Sequence, residues 1–231
     1  MLCLLAVYDM GWCILSLLRN KAGHKAKGSK RKKKPGDKEN MSPQTVFPDK
    51  KYKIIYADPP WEYNDKVLAG DRGANCKYDL MTIDEIKGLP VSQITDDDCI
   101  LFIWGTWTHI KEIQQVIEAW GFEYKTVGFV WIKKFSTGRN FMGMGNWTRA
   151  NTEYCLIATK GKPKRIDSGI SQIIESIPDS HSSKPDMVRK RIIELIGDLP
   201  RIELFARTKV HGWDVWGNDE KLSLEPLESF Y

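Results

Sequence analysis

The sequence feature that most constrains the fold is a pair of prolines directly after a short apolar run. Residues 54–57 read Ile-Ile-Tyr-Ala and are followed by Asp58, Pro59, Pro60 and Trp61. An apolar run of this length that ends at turn residues is typical of a buried strand. Each proline has a fixed φ and lacks an N–H donor. We therefore predict that a buried strand ends at a rigid corner, where the carbonyls of Asp58 and Pro59 have no ladder partner.

The groups at this corner suggest a site for a flat base that carries an amino group. Such an amino group needs hydrogen-bond acceptors for its two N–H bonds, and the Asp58 carboxylate and the corner carbonyls are acceptors. The ring of Trp61 offers a face for stacking. The first hypothesis is a site that methylates the amino group of a nucleobase. The alternative is an ordinary turn with Trp61 in the core, and the tetrapeptide alone leaves both open.

Predicted strands alternate with predicted helices after residue 50. Strands are predicted at residues 52–57, 99–104, 124–133, 153–159 and 201–206. Helices are predicted after a capping box at residues 82–85, along residues 110–120 and at residues 188–196. Two segments with few apolar residues, 62–78 and 135–149, are predicted to be loops. This order predicts an α/β, Rossmann-like fold whose mainly parallel sheet has helices on both faces.

The first 40 residues differ from the rest. Residues 2–18 are mainly apolar, with Asp9 in the middle, and residues 19–40 are basic and polar. The apolar run is short for a membrane span, and its central Asp9 would be costly in a bilayer. We expect a leader outside the fold over residues 1–40, with a single domain over residues 41–231, and we do not expect a membrane partner. A signal-anchor is the alternative.

Basic charge is concentrated in this leader. Residues 1–40 contain ten Lys or Arg and three Asp or Glu, whereas the remainder contains 25 and 27. The predicted domain therefore needs a local basic patch, the leader or a partner subunit to hold a polyanion. The five cysteines are scattered, and neither a disulfide framework nor a metal site is indicated. This pattern favours an intracellular, reducing location.

Three charged residues are predicted to lie at the same edge of the sheet as Asp58. Ligands of such sheets bind beyond the carboxyl ends of the strands, and the last predicted strand carries Glu203 and ends beside Arg207. A buried Glu203 would either accept the hydroxyls of a ribose or pair with Arg207. Lys184 and Pro185 open a predicted helix, whose positive end favours a carboxylate such as that of an amino acid. A solvated Lys184 beside an ordinary cap is the alternative.

Four motifs occur together, and their order resembles that of the MT-A family of adenine methyltransferases. The motifs are Asp-Pro-Pro-Trp at 58–61, Ser-Lys-Pro-Asp at 183–186, Ile-Glu-Leu-Phe-Ala-Arg at 202–207 and Gly-Trp-Asp-Val-Trp-Gly-Asn at 212–218. The resemblance covers about residues 50–220. The compact spacing is similar to the phage and bacterial branch, which contains DNA methylases. The catalytic motif precedes the cofactor strand, as in the permuted β-class order.

The resemblance implies that S-adenosylmethionine is the methyl donor. It implies a catalytic corner made of the four residues 58–61, with Asp58 also near the amino group of the donor. The other donor-binding residues that it implies are Lys184, Glu203, Phe205, Arg207 and Asn218. Tyr78 and Glu153 lie where family members contact the target adenine. Arg139, Trp147 and Arg149 of the predicted loop 135–149 are candidates for nucleic-acid contacts. Lys133 and Lys134, which precede this loop, are further candidates for phosphate contacts. A solvated surface loop is the alternative.

The resulting prediction is methyl transfer from S-adenosylmethionine to the amino group of adenine in nucleic acid, with DNA favoured over RNA. Methylation of adenine in RNA or of cytosine in DNA is the first alternative, because Asp-Pro-Pro-aromatic turns also serve cytosine. A non-catalytic, nucleic-acid-binding partner subunit is the second, although this chain keeps Asp58, Lys184 and Glu203. A homodimer and a heterodimer are both open. The expected location is the cytoplasm of a bacterium or of a phage-infected host.

Overall fold

A computed structural model of the chain describes residues 46–62, 80–143, 145, 147–178 and 183–217. Its strands are β1 Tyr52–Ala57, β2 Thr95–Gly105, β3 Glu123–Lys133, β4 Thr152–Lys160, β5 Ile173–Ser176, β6 Arg201–Leu204 and β7 Asp214–Trp216. Its α-helices are α1 Ile83–Lys87, α2 Ile110–Ala119 and α3 Met187–Ile196. The predicted leader, nearly all of the predicted loop 62–78, Tyr78 and Asn218 lie outside the described residues.

The seven strands form one sheet in the order β5-β3-β4-β2-β1-β6-β7. Four pairings between these strands are parallel, and the two that involve β4 are antiparallel. The mainly parallel sheet is therefore confirmed, but the antiparallel β4 was not predicted. A short connection suffices between antiparallel neighbours, whereas a parallel pair needs a crossover segment. The loop that leads from β3 directly into β4 suits the antiparallel arrangement.

Helices cover both faces of the sheet, as predicted. One face packs against α1 and α2, and the other packs against α3. The buried apolar residues of α2 and α3 are Ile113, Val116 and Ile117 on one face and Val188, Ile192 and Ile196 on the other. Within the described ranges, no helix combines the length and apolar character that a bilayer crossing requires. The two apolar layers fix the sheet between the helices and leave its carboxyl edge accessible at the ends of the strands.

The order of the sheet reverses between β1 and β6. From β1 the chain runs through α1 to β2 on one side, whereas α3 leads into β6 on the other side. The two strands pair in parallel with Ala57 opposite Leu204, so both end at the same level. In open α/β sheets, ligands bind in the crevice outside the carboxyl ends of the strands at such a switch point. Asp58 follows β1 directly and therefore lies at this crevice.

Several predicted boundaries differ from the structure, and two of them lie beside the crevice. The strand predicted at 201–206 ends at Leu204, because Phe205 adopts a positive φ of 62°. A positive φ is uncommon for a bulky residue, and such residues concentrate at ligand sites. The helix predicted to open at Pro185 begins at Met187 instead, and the carbonyl of Pro185 accepts a hydrogen bond from the N–H of Val188. The motif that contains Lys184 thus forms the turn before α3 rather than its first residues.

Candidate active site

The proline corner is closed by hydrogen bonds of its own. The carbonyl of Pro59 accepts a hydrogen bond from the N–H of Trp61 at 2.9 Å. The carbonyl of Pro60 accepts one from the N–H of Met81 at 2.9 Å, and the carbonyl of Met81 accepts one from Glu62 at 3.3 Å. The Pro59 carbonyl therefore has a partner within the turn, and this bond is not part of a sheet ladder. A carbonyl has two lone pairs, however, so Pro59 can accept a second hydrogen bond.

The side chain of Trp61 packs into the structure more completely than the sequence suggested. It is 6% exposed and belongs to the apolar core on the α2 face. Its Nε1 donates a hydrogen bond to the carbonyl of Trp104 at 3.1 Å, and its ring stacks on that of His109 at 5.7 Å. In this conformation the indole holds the corner in place and offers little free surface. Stacking of Trp61 on a base stays a prediction.

His109 is a residue of this site that the sequence analysis missed. Its Nδ1 lies 2.9 Å from the Thr106 hydroxyl, and its Nε2 lies 3.3 Å from the carbonyl of Glu62. Because a carbonyl only accepts, Nε2 carries the hydrogen and donates it to Glu62. This hydrogen bond links Glu62, which follows the proline corner, to the residue that precedes α2. A lone histidine in Trp-Thr-His gives no local signal, since its contact with Trp61 exists only in the tertiary structure.

Four charged side chains of alternating sign form a partly buried chain beside the corner. The Nζ of Lys184 donates a hydrogen bond to Oδ2 of Asp58 at 2.7 Å and lies 3.3 Å from Oε2 of Glu153. The other oxygen of Glu153 accepts a hydrogen bond from Lys133. All four side chains are between 11% and 20% exposed. The alternative of a solvated Lys184 is therefore wrong. Lys133 was predicted to contact phosphates, but here it pairs with Glu153 inside the domain.

The charges of this network stabilise one another. Burial acts to lower the pKa of Lys184, but the carboxylates of Asp58 and Glu153 outweigh it and raise the pKa above its ordinary value. Burial acts to raise the pKa of Glu153, but Lys184 and Lys133 outweigh it and lower the pKa below its ordinary value. The ammonium of Lys184 also lies 5.5 Å from the ring centroid of Trp104. At neutral pH Lys184 and Glu153 are therefore both charged.

We expect the stability difference between the wild type and Glu153→Gln to depend on pH. Since the pKa of Glu153 is lowered from its ordinary value of 4.5, the ionised carboxylate stabilises the folded state above that pH. This contribution is lost as the pH falls through the lower pKa of the folded state. Urea unfolding between pH 7 and pH 3 should show a difference that is constant above about pH 5 and shrinks in acid. A difference that is the same at every pH would contradict an ionised Glu153.

A second buried ion pair lies behind the crevice. Both oxygens of Glu203 accept hydrogen bonds from Arg189 of α3, at 2.7 Å from Nε and 2.9 Å from Nη2. Glu203 is 6% exposed and Arg189 is 9% exposed. Burial acts to lower the pKa of the Arg189 guanidinium, but Glu203 outweighs it and raises the pKa. The buried Glu203 is paired, and the partner that the structure shows is Arg189, which the sequence had not indicated.

Phe205 and Arg207, two further predicted donor-binding residues, follow the carboxyl end of β6. Phe205 is half-buried, and its ring meets that of Trp216 edge-on at 5.5 Å. Gly217 approaches the backbone of Ala206 so closely that a Cβ at this position would lie 2.5 Å from the carbonyl oxygen. Arg207 is half-buried two residues beyond the positive-φ position. Binding of the donor by Glu203, Phe205 and Arg207 stays a prediction, as does that by Asn218 outside the described residues.

The predicted nucleic-acid loop is exposed. Arg139, Trp147 and Arg149 lie on the surface, and Trp147 is 99% exposed. Two isolated bridges, between residues 134 and 140 and between residues 143 and 150, shape this loop. Lys134 pairs with Glu175 at 3.0 Å. The structure therefore places these three side chains where a large ligand could reach them, and their contacts with nucleic acid stay predictions.

Comparisons with known proteins agree with the motifs. The MT-A70 family model matches residues 52–219, which include every strand of the sheet. Type II methyltransferase M.MunI from a Mycoplasma species is 36% identical over 209 residues, which are 83% of this chain and 86% of the relative. The human N(6)-adenosine-methyltransferase catalytic subunit METTL3 is 29% identical over 164 residues, which are 68% of this chain but 26% of the relative. With its four motifs gathered around one switch point, this chain belongs to the MT-A70 family of methyltransferases.

Proposed function

We propose that this chain transfers a methyl group from S-adenosylmethionine to the exocyclic amino group of adenine in DNA. The observation that carries the proposal is the Asp58–Lys184 ion pair, which joins two distant motifs at the switch point of the sheet. Membership of the MT-A70 family supports methyl transfer, and the names of several relatives specify adenosine N6. The choice of DNA is supported by the match to the Type II methyltransferase, which extends over most of both chains.

The residues at the switch point fit the charges of the methyl donor. S-adenosylmethionine carries an ammonium, a carboxylate and a sulfonium whose methyl group is already activated. The carboxylate of Asp58 suits the ammonium, and the buried Lys184 suits the carboxylate. Phe205, Arg207 and Asn218 are proposed for the nucleoside part. Glu203 is the proposed ribose acceptor, and because Arg189 already donates to both of its oxygens, it would have to use its remaining lone pairs.

The chemistry requires positioning more than proton transfer. The lone pair of the adenine amino nitrogen is delocalised into the ring, and this nitrogen gains positive charge during the reaction. Asp58 and the carbonyl of Pro59 are acceptors that would face the two N–H bonds while this charge develops. Correct placement of two reactants can contribute about 7–11 kcal/mol to lowering a barrier. We therefore assign Asp58 the role of an acceptor rather than that of a strong base.

The corner is built to keep these acceptors in place. The two prolines fix φ, Met81 bonds the carbonyl of Pro60, and the buried indole of Trp61 fills the space behind the turn. The Asp58 carboxylate is oriented by its hydrogen bond from Lys184. Acceptors that do not need to reorient during the reaction stabilise developing charge better than mobile ones. This rigidity is the physical reason for placing the reaction at this end of β1.

The proposal is tested with the purified full chain and a tritium-labelled methyl donor. Oligomers of DNA and of RNA are supplied in parallel, and the methylated nucleoside is identified after digestion. We expect N6-methyladenine from DNA. Label in cytosine, or in RNA alone, would overturn the assigned substrate but not the reaction. Calorimetry with the donor adds a separate test, because a folded chain without heat of binding would favour the non-catalytic partner subunit.

We expect the double variant Arg139→Gln, Arg149→Gln to weaken DNA binding mainly at low salt. Each lost phosphate contact removes about one unit from the slope of log affinity against log salt concentration. Fluorescence anisotropy of a labelled duplex at several salt concentrations measures this slope. Lys125→Gln is the control, since Lys125 is 42% exposed but lies away from this loop near the start of β3. An unchanged slope in the double variant would indicate a solvated surface loop.

A further inference from the structure

Two tryptophans differ from the others in the described part of the chain because they are exposed. Trp107 is 50% exposed and Trp147 is 99% exposed. Each of the others is at most 7% exposed: Trp61, Trp104, Trp120, Trp131, Trp213 and Trp216. Trp147 lies in the predicted nucleic-acid loop, whereas the sequence predicted no role for Trp107. Removing half of such a large ring from water would be favourable, so its exposure calls for a physical reason.

The ring of Trp107 is held in one orientation. Its Nε1 donates a hydrogen bond to the hydroxyl of Thr152 at 2.9 Å. Its rings lie against Tyr154, with centroids 4.6 Å apart and planes tilted by 49°. Trp107 also opens a short 3₁₀ turn, residues Trp107–His109, that precedes α2. A ligand that contacts the exposed half of this ring would therefore lose little side-chain freedom on binding.

Trp107 lies at the edge of the sheet that carries the proposed reaction. It follows the carboxyl end of β2, and β2 pairs in parallel with β1, which Asp58 follows. Neighbouring strands are about 4.8 Å apart, so the segments that follow the two ends lie close together at this edge. Thr152, which holds the indole, begins β4 at this same edge of the sheet.

The ring of Trp61, which the sequence predicted to stack on the target base, is not accessible. Trp61 is buried, stacked on His109 and bonded to the carbonyl of Trp104. Among the described aromatic residues that follow β1 and β2, Trp107 is the one that presents a large, fixed and exposed surface. Trp107 follows β2, the strand that pairs with β1 on the side away from β6.

We propose that Trp107 is the stacking surface for the target adenine. The inference rests on the proposed function, to which it adds the residue that holds the ring of the substrate. Alanine substitution of a stacking aromatic typically removes about 1–3 kcal/mol per base, which corresponds to about 5- to 150-fold in affinity. The stacking holds the base before and during the reaction, so its loss raises KM more than it lowers kcat.

The test compares Trp107→Ala with Trp107→Phe, on a DNA oligomer that the wild-type chain methylates. We expect the Ala variant to raise KM by about 5- to 150-fold and the Phe variant to recover most of this loss. The matched control is Tyr124→Ala, because Tyr124 is 42% exposed but pairs with Ala158 near the opposite edge of the sheet. Trp107→Leu, which keeps an apolar side chain without a ring, replaces the Ala variant if that variant unfolds.

A second readout does not depend on methyl transfer. The same oligomer is prepared with 2-aminopurine at the target position, and its fluorescence is recorded with the wild type and each variant. Stacking on Trp107 quenches this fluorescence, so the complex with Trp107→Ala should be brighter than that with the wild type or Tyr124→Ala. Equal fluorescence and equal KM in a folded Trp107→Ala would overturn the inference and leave the proposed function intact. Absence of methyl transfer by the wild type would overturn the proposed function instead.

Discussion

Asp58→Asn should lower the rate of methyl transfer by about 10²- to 10³-fold, the loss expected when one preorganised electrostatic group is removed from a reacting centre. Asparagine keeps the shape of the side chain but loses the charge that would face the amino nitrogen. Asp58→Ala removes the acceptor entirely, and we expect no detectable transfer. The rate is measured with a tritium-labelled methyl donor under saturating DNA. Near-normal rates in either variant would exclude Asp58 from the reaction.

Both Asp58 variants should fold, which makes the loss of rate interpretable. Lys184 loses one partner but keeps Glu153 at 3.3 Å, so the buried ammonium is not left alone. Circular dichroism and urea unfolding monitor the fold. Asp84→Asn is the matched control, because this aspartate on α1 has a side chain that is 86% exposed. We expect this control to retain the wild-type rate.

Arg189→Met should lower the free energy of unfolding by about 3–5 kcal/mol, the range found when one partner of a buried ion pair is removed. The substitution leaves the carboxylate of Glu203 buried without the guanidinium that donates to both of its oxygens. The same pair fastens α3 to β6, so its loss also loosens the turn that carries Lys184. Urea unfolding at pH 7 measures the change. A loss below about 1 kcal/mol would show that Glu203 finds compensation elsewhere.

Two further variants separate the charge effect from the effect of truncation. Lys190→Met changes the neighbouring, exposed residue of the same helix, and we expect a change within about 0.5 kcal/mol. The double variant Arg189→Met, Glu203→Leu removes both charges, and we expect it to recover most of the stability that Arg189→Met loses. Calorimetry of this double variant with the methyl donor then tests the ribose role of Glu203. Unchanged donor affinity would show that Glu203 does not bind the ribose and that its role is to hold α3 in place.

The elements with strong local signals were predicted well. The capping box of α1 is present with both of its hydrogen bonds, between Thr82 and Glu85. The apolar spacing of α2 predicted its buried face, and β1 has the predicted bounds. By contrast, β5 and β7 have four and three residues, and Asp, Glu and Ser interrupt their apolar positions. Such short strands form because a neighbouring strand has a free edge to pair with. A local sequence pattern contains no information about that edge.

The sequence by itself determined the proline corner, the motif order and the family, because backbone preferences and motif spacing act over a few residues. Only the tertiary structure decided which charges meet. Lys184 bonds to Asp58 across 126 residues, Glu203 pairs with Arg189 of α3, and the ring of His109 stacks on that of Trp61. Buried charges need partners of opposite sign, but the order of the strands selects which candidates lie within reach. The position of Glu153 shows this most clearly. It lies near the start of β4, and because β4 is antiparallel to β2, this start is at the carboxyl edge of the sheet.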